Sequence, residues 1–166
     1  MVAASELPIN TSASAMQMAQ TIFGDGATVS SASYSGSNYS SGIYSNGDSV
    51  APGVTPGDTG VILSTGRATD FTNSSGSSNQ SNSTSTNTGG ANNLADFNAA
   101  ANARTYDASY LDIDFVPTGS VMTMQFVFSS EEYPEYVNSL YQDFIGVWVN
   151  GSFVDISIGN GDLDPG

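Results

Sequence analysis

The feature that most constrains this chain is a strict two-residue alternation in 111–115, where Leu111, Ile113 and Phe115 are separated by Asp112 and Asp114. In a strand, successive side chains point to opposite faces, so this pattern requires an apolar face turned inward and two carboxylates turned outward. Residues 117–120, Pro-Thr-Gly-Ser, carry turn chemistry. A second alternation follows over 121–128, with Met122, Met124, Phe126 and Phe128 on one side and Thr123 and Gln125 on the other. Two such runs joined by a turn predict a long antiparallel hairpin. Its second strand ends in Ser-Ser-Glu-Glu-Tyr-Pro-Glu, residues 129–135, where a proline forbids the ladder from continuing.

The charge balance narrows the function classes. Sixteen Asp and Glu stand against two Arg and no Lys, giving a net charge of −14. Nucleic acid and anionic membrane surfaces are poor partners, because both need Lys and Arg to neutralise phosphates. Divalent cations are favoured. With no Cys and no His, disulfides, thiol chemistry, the usual zinc sites and imidazole-based catalysis are excluded. No apolar run approaches the roughly 18 to 20 residues of a membrane span, so no membrane insertion is expected. The N-terminus lacks the basic start and apolar run of a secretory signal, and export through a C-terminal signal outside this sequence is the favoured reading.

Along the chain, residues 1–13 read as a lead-in and 14–166 as one domain. Ala15, Met18, Ala19 and Ile22 recur at helical spacing between a Ser12 or Ser14 cap and Gly24, which predicts one short helix plugging a sheet end. Residues 27–43 predict two short strands broken at Gly36. Residues 60–66 form a continuous apolar run that predicts a strand covered on both faces. Residues 72–93 are rich in Ser, Asn and Thr and predict a flexible insertion. Residues 94–103 suit a brief helix or an extended cover. Asn150-Gly151, between apolar runs at 144–149 and 153–158, predicts a hairpin with a type I′ turn. The sum is an all-β fold, an antiparallel, jelly-roll-like β-sandwich with one N-terminal helix. The sequence stops in mid-loop, so closing C-terminal strands are expected beyond it.

Three stretches together resemble the bacterial choice-of-anchor L domain. They are Gly-Val-Ile-Leu-Ser-Thr-Gly at 60–66, Tyr-Leu-Asp-Ile-Asp-Phe-Val-Pro-Thr-Gly at 110–119, and Phe-Val-Phe-Ser-Ser-Glu-Glu-Tyr-Pro-Glu-Tyr at 126–136, followed by Asp143-Phe-Ile-Gly-Val. The opening at 19–24 is similar to that family's as well. The resemblance implies a secreted or surface-attached bacterial module, in some cases part of a large adhesin, and implies no enzymatic activity or ligand.

The acidic cluster is the candidate site. Glu131, Glu132 and Glu135, with Asp143 or Asp70, supply hard oxygen ligands that suit calcium's six to eight positions. The same carboxylates, with Asp112 and Asp114, also read as solvated surface charge. A glycosidase-like pair would need two carboxyls facing each other across a cleft. Tyr133, Tyr136 and Tyr141 suggest either a stacking patch for surface glycans or a protein partner, or rings that shield a sheet end. The leading expectation is a non-enzymatic, calcium-stabilised extracellular adhesin or surface-assembly module. Its rival is a filament or sheath subunit completed by strand exchange, with self-assembly through the edge hairpin at 144–158. A carboxylate-based hydrolase is the third class.

Overall fold

The structure, a computed structural model, describes residues 6–71, 88–130, 143–154 and 156. In chain order its elements are β1 (Ile9–Asn10), α1 (Ala15–Phe23), β2 (Ala27–Ser35), β3 (Ser41–Tyr44), α2 (Gly47–Val50), β4 (Gly60–Leu63), α3 (Ala95–Ala101), β5 (Tyr110–Pro117), β6 (Val147–Val149) and β7 (Ser152–Val154), with 3₁₀ turns at Gly24–Gly26 and Ala68–Phe71. Every strand pairing is antiparallel. The all-β expectation therefore holds. The chain divides into two compact units, the second holding α3, β6 and β7 and the first the remaining elements.

In the first unit, α1 takes Ser14, one of the two caps expected, as its N-cap. The Ser14 hydroxyl accepts from the Gln17 N–H at 3.2 Å and the Gln17 side chain accepts from the Ser14 N–H at 2.9 Å, a reciprocal capping box. Such a cap contributes about 1 kcal/mol. Gly24 stops the helix with φ +49°, a conformation that an L side chain adopts only with strain. The buried face carries Met18 and Ala19, and Phe23 packs its ring 4.4 Å from that of Phe115 on β5. The helix thus joins a three-stranded sheet, β1-β3-β4, to a two-stranded one, β2-β5. Burying Met18 alone stabilises the fold by about 1.5–3 kcal/mol.

Two corrections follow. Strand β5 does alternate as expected, with Leu111, Ile113 and Phe115 half-buried and Asp112 and Asp114 exposed, but its partner is β2, in register from Ala27↔Pro117 to Ser35↔Tyr110. Residues 121–130 form no strand. The reason lies at Thr118, whose N–H donates to the Gly26 carbonyl at 3.0 Å while its hydroxyl lies 3.0 Å from the same oxygen. Those bonds tie the chain leaving β5 to the start of β2 instead of folding it back as a hairpin. A bulge at Ser30 breaks the register between Val29 and Ser31, and the Ser30 hydroxyl donates to the Asp114 carbonyl at 3.0 Å.

The second correction concerns β4. Its register runs from Tyr44↔Gly60 to Ser41↔Leu63 on β3, and Leu63 is exposed, so the run is not covered on both faces. The residues read as a lead-in also do structural work, because β1 pairs with β3 and Leu7 is fully buried. Of the insertion at 72–93, residues 72–87 lie outside the described residues. Its last part is tied down: Ala91 bridges Ala108, and the Thr88 hydroxyl donates to the Thr65 carbonyl at 2.9 Å.

The second unit is built on rings. Trp148 of β6 stacks on Phe97 of α3 at 5.0 Å and meets Phe153 of β7 edge-on at 5.3 Å. Of the two readings of 94–103, the brief helix is the one that forms, over Ala95–Ala101, and it ends at Asn102 with φ +49°. Its Asn98 carboxamide oxygen accepts from both the N–H and the hydroxyl of Thr105, at 2.7 and 2.9 Å. Asn150 and Gly151 take φ +51° and +75°, the paired positive values of the expected type I′ turn.

Candidate functional site

Of the expected calcium ligands, Glu131, Glu132 and Glu135 lie outside the described residues, as do Tyr133, Tyr136 and Tyr141. Asp143 lies in the second unit and accepts a hydrogen bond from the Ser130 hydroxyl at 2.5 Å. Asp70 lies in the first unit, in the Ala68–Phe71 turn, and its N–H donates to the Arg67 carbonyl at 2.9 Å. Asp114 accepts from the Ser31 hydroxyl at 2.6 Å. Among the described residues, no three acidic side chains converge as a metal site would require.

The first unit instead forms a cleft of about 440 Å³ between the turn that follows β1 and the turn that joins β2 to β3. It is lined by Thr11, Ser12, Ala13, Tyr34, Asn38, Tyr39 and Ser41. Each wall has a local cause. After β1, the Asn10 side-chain oxygen accepts from the Ser12 N–H at 3.0 Å, an Asx turn that presents Thr11 and Ser12. Opposite, the Ser40 N–H donates to the Ser37 carbonyl at 3.0 Å, closing a four-residue turn with Asn38 and Tyr39 at its tip.

That tip is held firmly. The Ser37 hydroxyl accepts from the Tyr39 N–H at 3.3 Å, and the Tyr39 carbonyl accepts from the N–H of buried Ala68 at 2.8 Å. Ser40, 1% exposed, donates its hydroxyl to the Gly66 carbonyl at 2.6 Å, while its own carbonyl accepts from the Ser64 N–H and the Ser109 hydroxyl. Yet the Tyr39 side chain is 56% exposed. The Arg67 guanidinium lies 4.7 Å from its ring centre, a contact that contributes about 0.5–1 kcal/mol at an exposed site. The Tyr34 hydroxyl is engaged by the Ser37 carbonyl and the Ser109 hydroxyl, so the cleft receives only its ring.

Beside the strands, the loop between β3 and β4 encloses Tyr44. Burial pushes the Tyr44 phenol above its ordinary value; a hydrogen bond with the Gly57 backbone pulls it down, and the nearby charges of Asp48 and Asp58 push it further up. This loop is a packing device: Gly47 donates to the Asp58 carbonyl at 2.8 Å and Asp48 donates its N–H to the Asp58 carboxylate at 3.3 Å.

A family model for the choice-of-anchor L domain matches residues 7–160. The chain belongs to that family. The match begins at Leu7, the first buried residue among those described, and it spans every strand and helix described above. Choice-of-anchor L domains are modules of secreted or surface-attached bacterial proteins, and among the described residues no helix is long and apolar enough to cross a membrane. No characterised protein and no solved structure matches the chain.

The Tyr39 cleft was not anticipated from the sequence, which singled out other tyrosines. The available signal was the Ser-Asn-Tyr-Ser run at 37–40, in which two turn-forming serines bracket an aromatic residue.

Proposed function

We propose that this choice-of-anchor L domain is a non-enzymatic extracellular module of a bacterial adhesin or surface-assembly protein, and that it contacts its partner through the Tyr39 cleft. One observation carries this reading: a half-exposed aromatic ring stands on a backbone clamped by hydrogen bonds on both sides. A rigid aromatic anchor loses little conformational freedom on binding, which is why such residues dominate recognition surfaces. The lining holds no carboxylate, Lys or Arg, so the cleft offers neither an acid–base pair nor an activated nucleophile.

Calcium is proposed to stiffen the acidic loops, with Glu131, Glu132, Glu135 and Asp143 as the oxygen donors. Support comes from the net charge of −14, which opposes compaction and favours a bound divalent cation. A second reading, a subunit that associates edge to edge, draws support from the exposed apolar residues Phe153 and Val154 on β7.

The test is adhesion itself. Beads coated with the chain are expected to be retained under flow on bacterial or epithelial cell layers well above albumin-coated beads. Retention equal to the albumin control on both layers would overturn the reading.

A further inference from the structure

We infer that the Tyr39 cleft is a carbohydrate subsite for a neutral pyranose, an inference that rests on the adhesive reading above and gives it a ligand class. The cleft, about 440 Å³, is open to solvent, and it admits a single pyranose ring lying against its wall. A pyranose has an apolar face of C–H groups and a rim of hydroxyls. The cleft supplies the complement of both. Tyr39 and Tyr34 present aromatic surface for the C–H face. Thr11, Ser12, Asn38 and the Tyr39 hydroxyl supply donors and acceptors for the rim.

Those polar groups are not already spoken for. Among the described residues, the side chains of Thr11, Ser12 and Asn38 and the hydroxyl of Tyr39 make no hydrogen bond within the protein. The neighbouring serines differ sharply: Ser37, Ser40 and Ser109 all spend their hydroxyls on the backbone or on Tyr34. Structural and available hydroxyls are thus segregated, the first holding the turn and the second facing solvent beside the exposed ring.

The charge of the lining decides between ligand classes. In a chain of net charge −14, a cleft bordered by seven uncharged residues gives a cationic ligand no carboxylate to pair with. Arg67, the one cation close by, is placed against the Tyr39 ring. A peptide added as a strand would be held through a free strand edge and its row of backbone groups, whereas this lining offers side-chain hydroxyls, an amide and ring faces.

The experiment titrates the chain with the methyl glycosides of glucose, galactose, mannose and N-acetylglucosamine, followed by calorimetry and by saturation-transfer NMR. A methyl glucuronide and a mixed peptide pool serve as comparisons. At least one neutral glycoside is expected to bind with a Kd on the order of millimolar and to keep that Kd between low and high sodium chloride. Tyr39→Ala is expected to weaken it by about tenfold or more while leaving Tm nearly unchanged, and Tyr39→Phe, which retains the ring, by only a few-fold. Absence of binding to all four glycosides, equal affinity in Tyr39→Ala, or binding confined to the glucuronide or the peptides would overturn the inference. The bead assay separates the two claims. Wild-type beads that adhere without any glycoside affinity would sink the sugar subsite and leave the adhesive reading standing, whereas glycoside binding without adhesion would do the reverse.

Discussion

Tyr44 and Gly60 face each other across β3 and β4, and the Tyr44 ring lies where a side chain on Gly60 would stand. A Cβ added to Gly60 would fall 2.6 Å from the Tyr44 hydroxyl oxygen and 2.7 Å from a ring carbon. Covering a strand glycine with a cross-strand aromatic ring keeps the backbone pairing and fills the space the glycine leaves. Because Tyr44 is itself buried, the ring has nowhere to retreat. Gly60→Ala is therefore expected to cost about 1–3 kcal/mol, as overpacking does. For a domain of this size that corresponds to a fall in Tm of roughly 2–4 °C per kcal/mol. A thermal melt unchanged by the substitution would refute this account of the pair.

The same burial gives the domain an alkaline limit. With its phenol raised in the folded state, Tyr44 contributes stability that is fully present below its unfolded value of about 10 and is lost as pH rises through the higher folded value. Tyr44→Phe removes the ionisable group. Wild type and variant are expected to keep a constant difference in Tm up to about pH 9, and wild type is expected to lose ground above about pH 10. Parallel curves up to pH 11 would show that Tyr44 ionisation is not what limits the fold.

Calcium is expected to act beyond screening. A cation held only by the folded form adds stability by mass action, so millimolar calcium chloride should raise Tm well above the value in sodium chloride of equal ionic strength. The variant Glu131→Gln/Glu132→Gln/Glu135→Gln should lose most of that excess. Equal shifts in the two salts would leave no place for a specific site.

On β7, Phe153 is 44% exposed and Val154 is exposed beside it. If this edge mediates association, Val154→Lys or Ile156→Lys should shift the chain toward monomer without lowering helix or strand content, since an edge lysine blocks strand addition. Sedimentation that gives a monodisperse monomer for the wild-type chain at high concentration would dispose of the association.

What could be read from the sequence was whatever depended on near neighbours. Helix α1 was legible because Ala15, Met18, Ala19 and Ile22 recur at helical spacing between a serine cap and the Gly24 stop; the β6–β7 turn was legible because Asn150-Gly151 favours positive φ at both positions. Partner choice was not. The alternation of 111–115 and that of 121–128 each tell which side chains share a face, but nothing in either says that β5 pairs with β2, a strand of Ala, Ser and Thr broken by only Val29 and Tyr34. Strand pairing is decided by tertiary packing, here by Phe23 against Phe115 and by Thr118 on Gly26. The cleft was hidden for the same reason, since Thr11 and Tyr39 meet only because β1 pairs with β3.

The pairing of β2 with β5 also sets the order of events as the chain is made. Ser35 and Tyr110 are partners, so β2 must wait for roughly 75 further residues, about 4–15 s of synthesis, before its mate exists. Until then β1, β3, β4 and α1, all within residues 9–63, have one another to pack against, while β2 is left without its mate, and a sheet of such long-range contacts closes slowly. The first unit is therefore sealed late: its helix and three-stranded sheet await a strand that lies nearly half the chain further on.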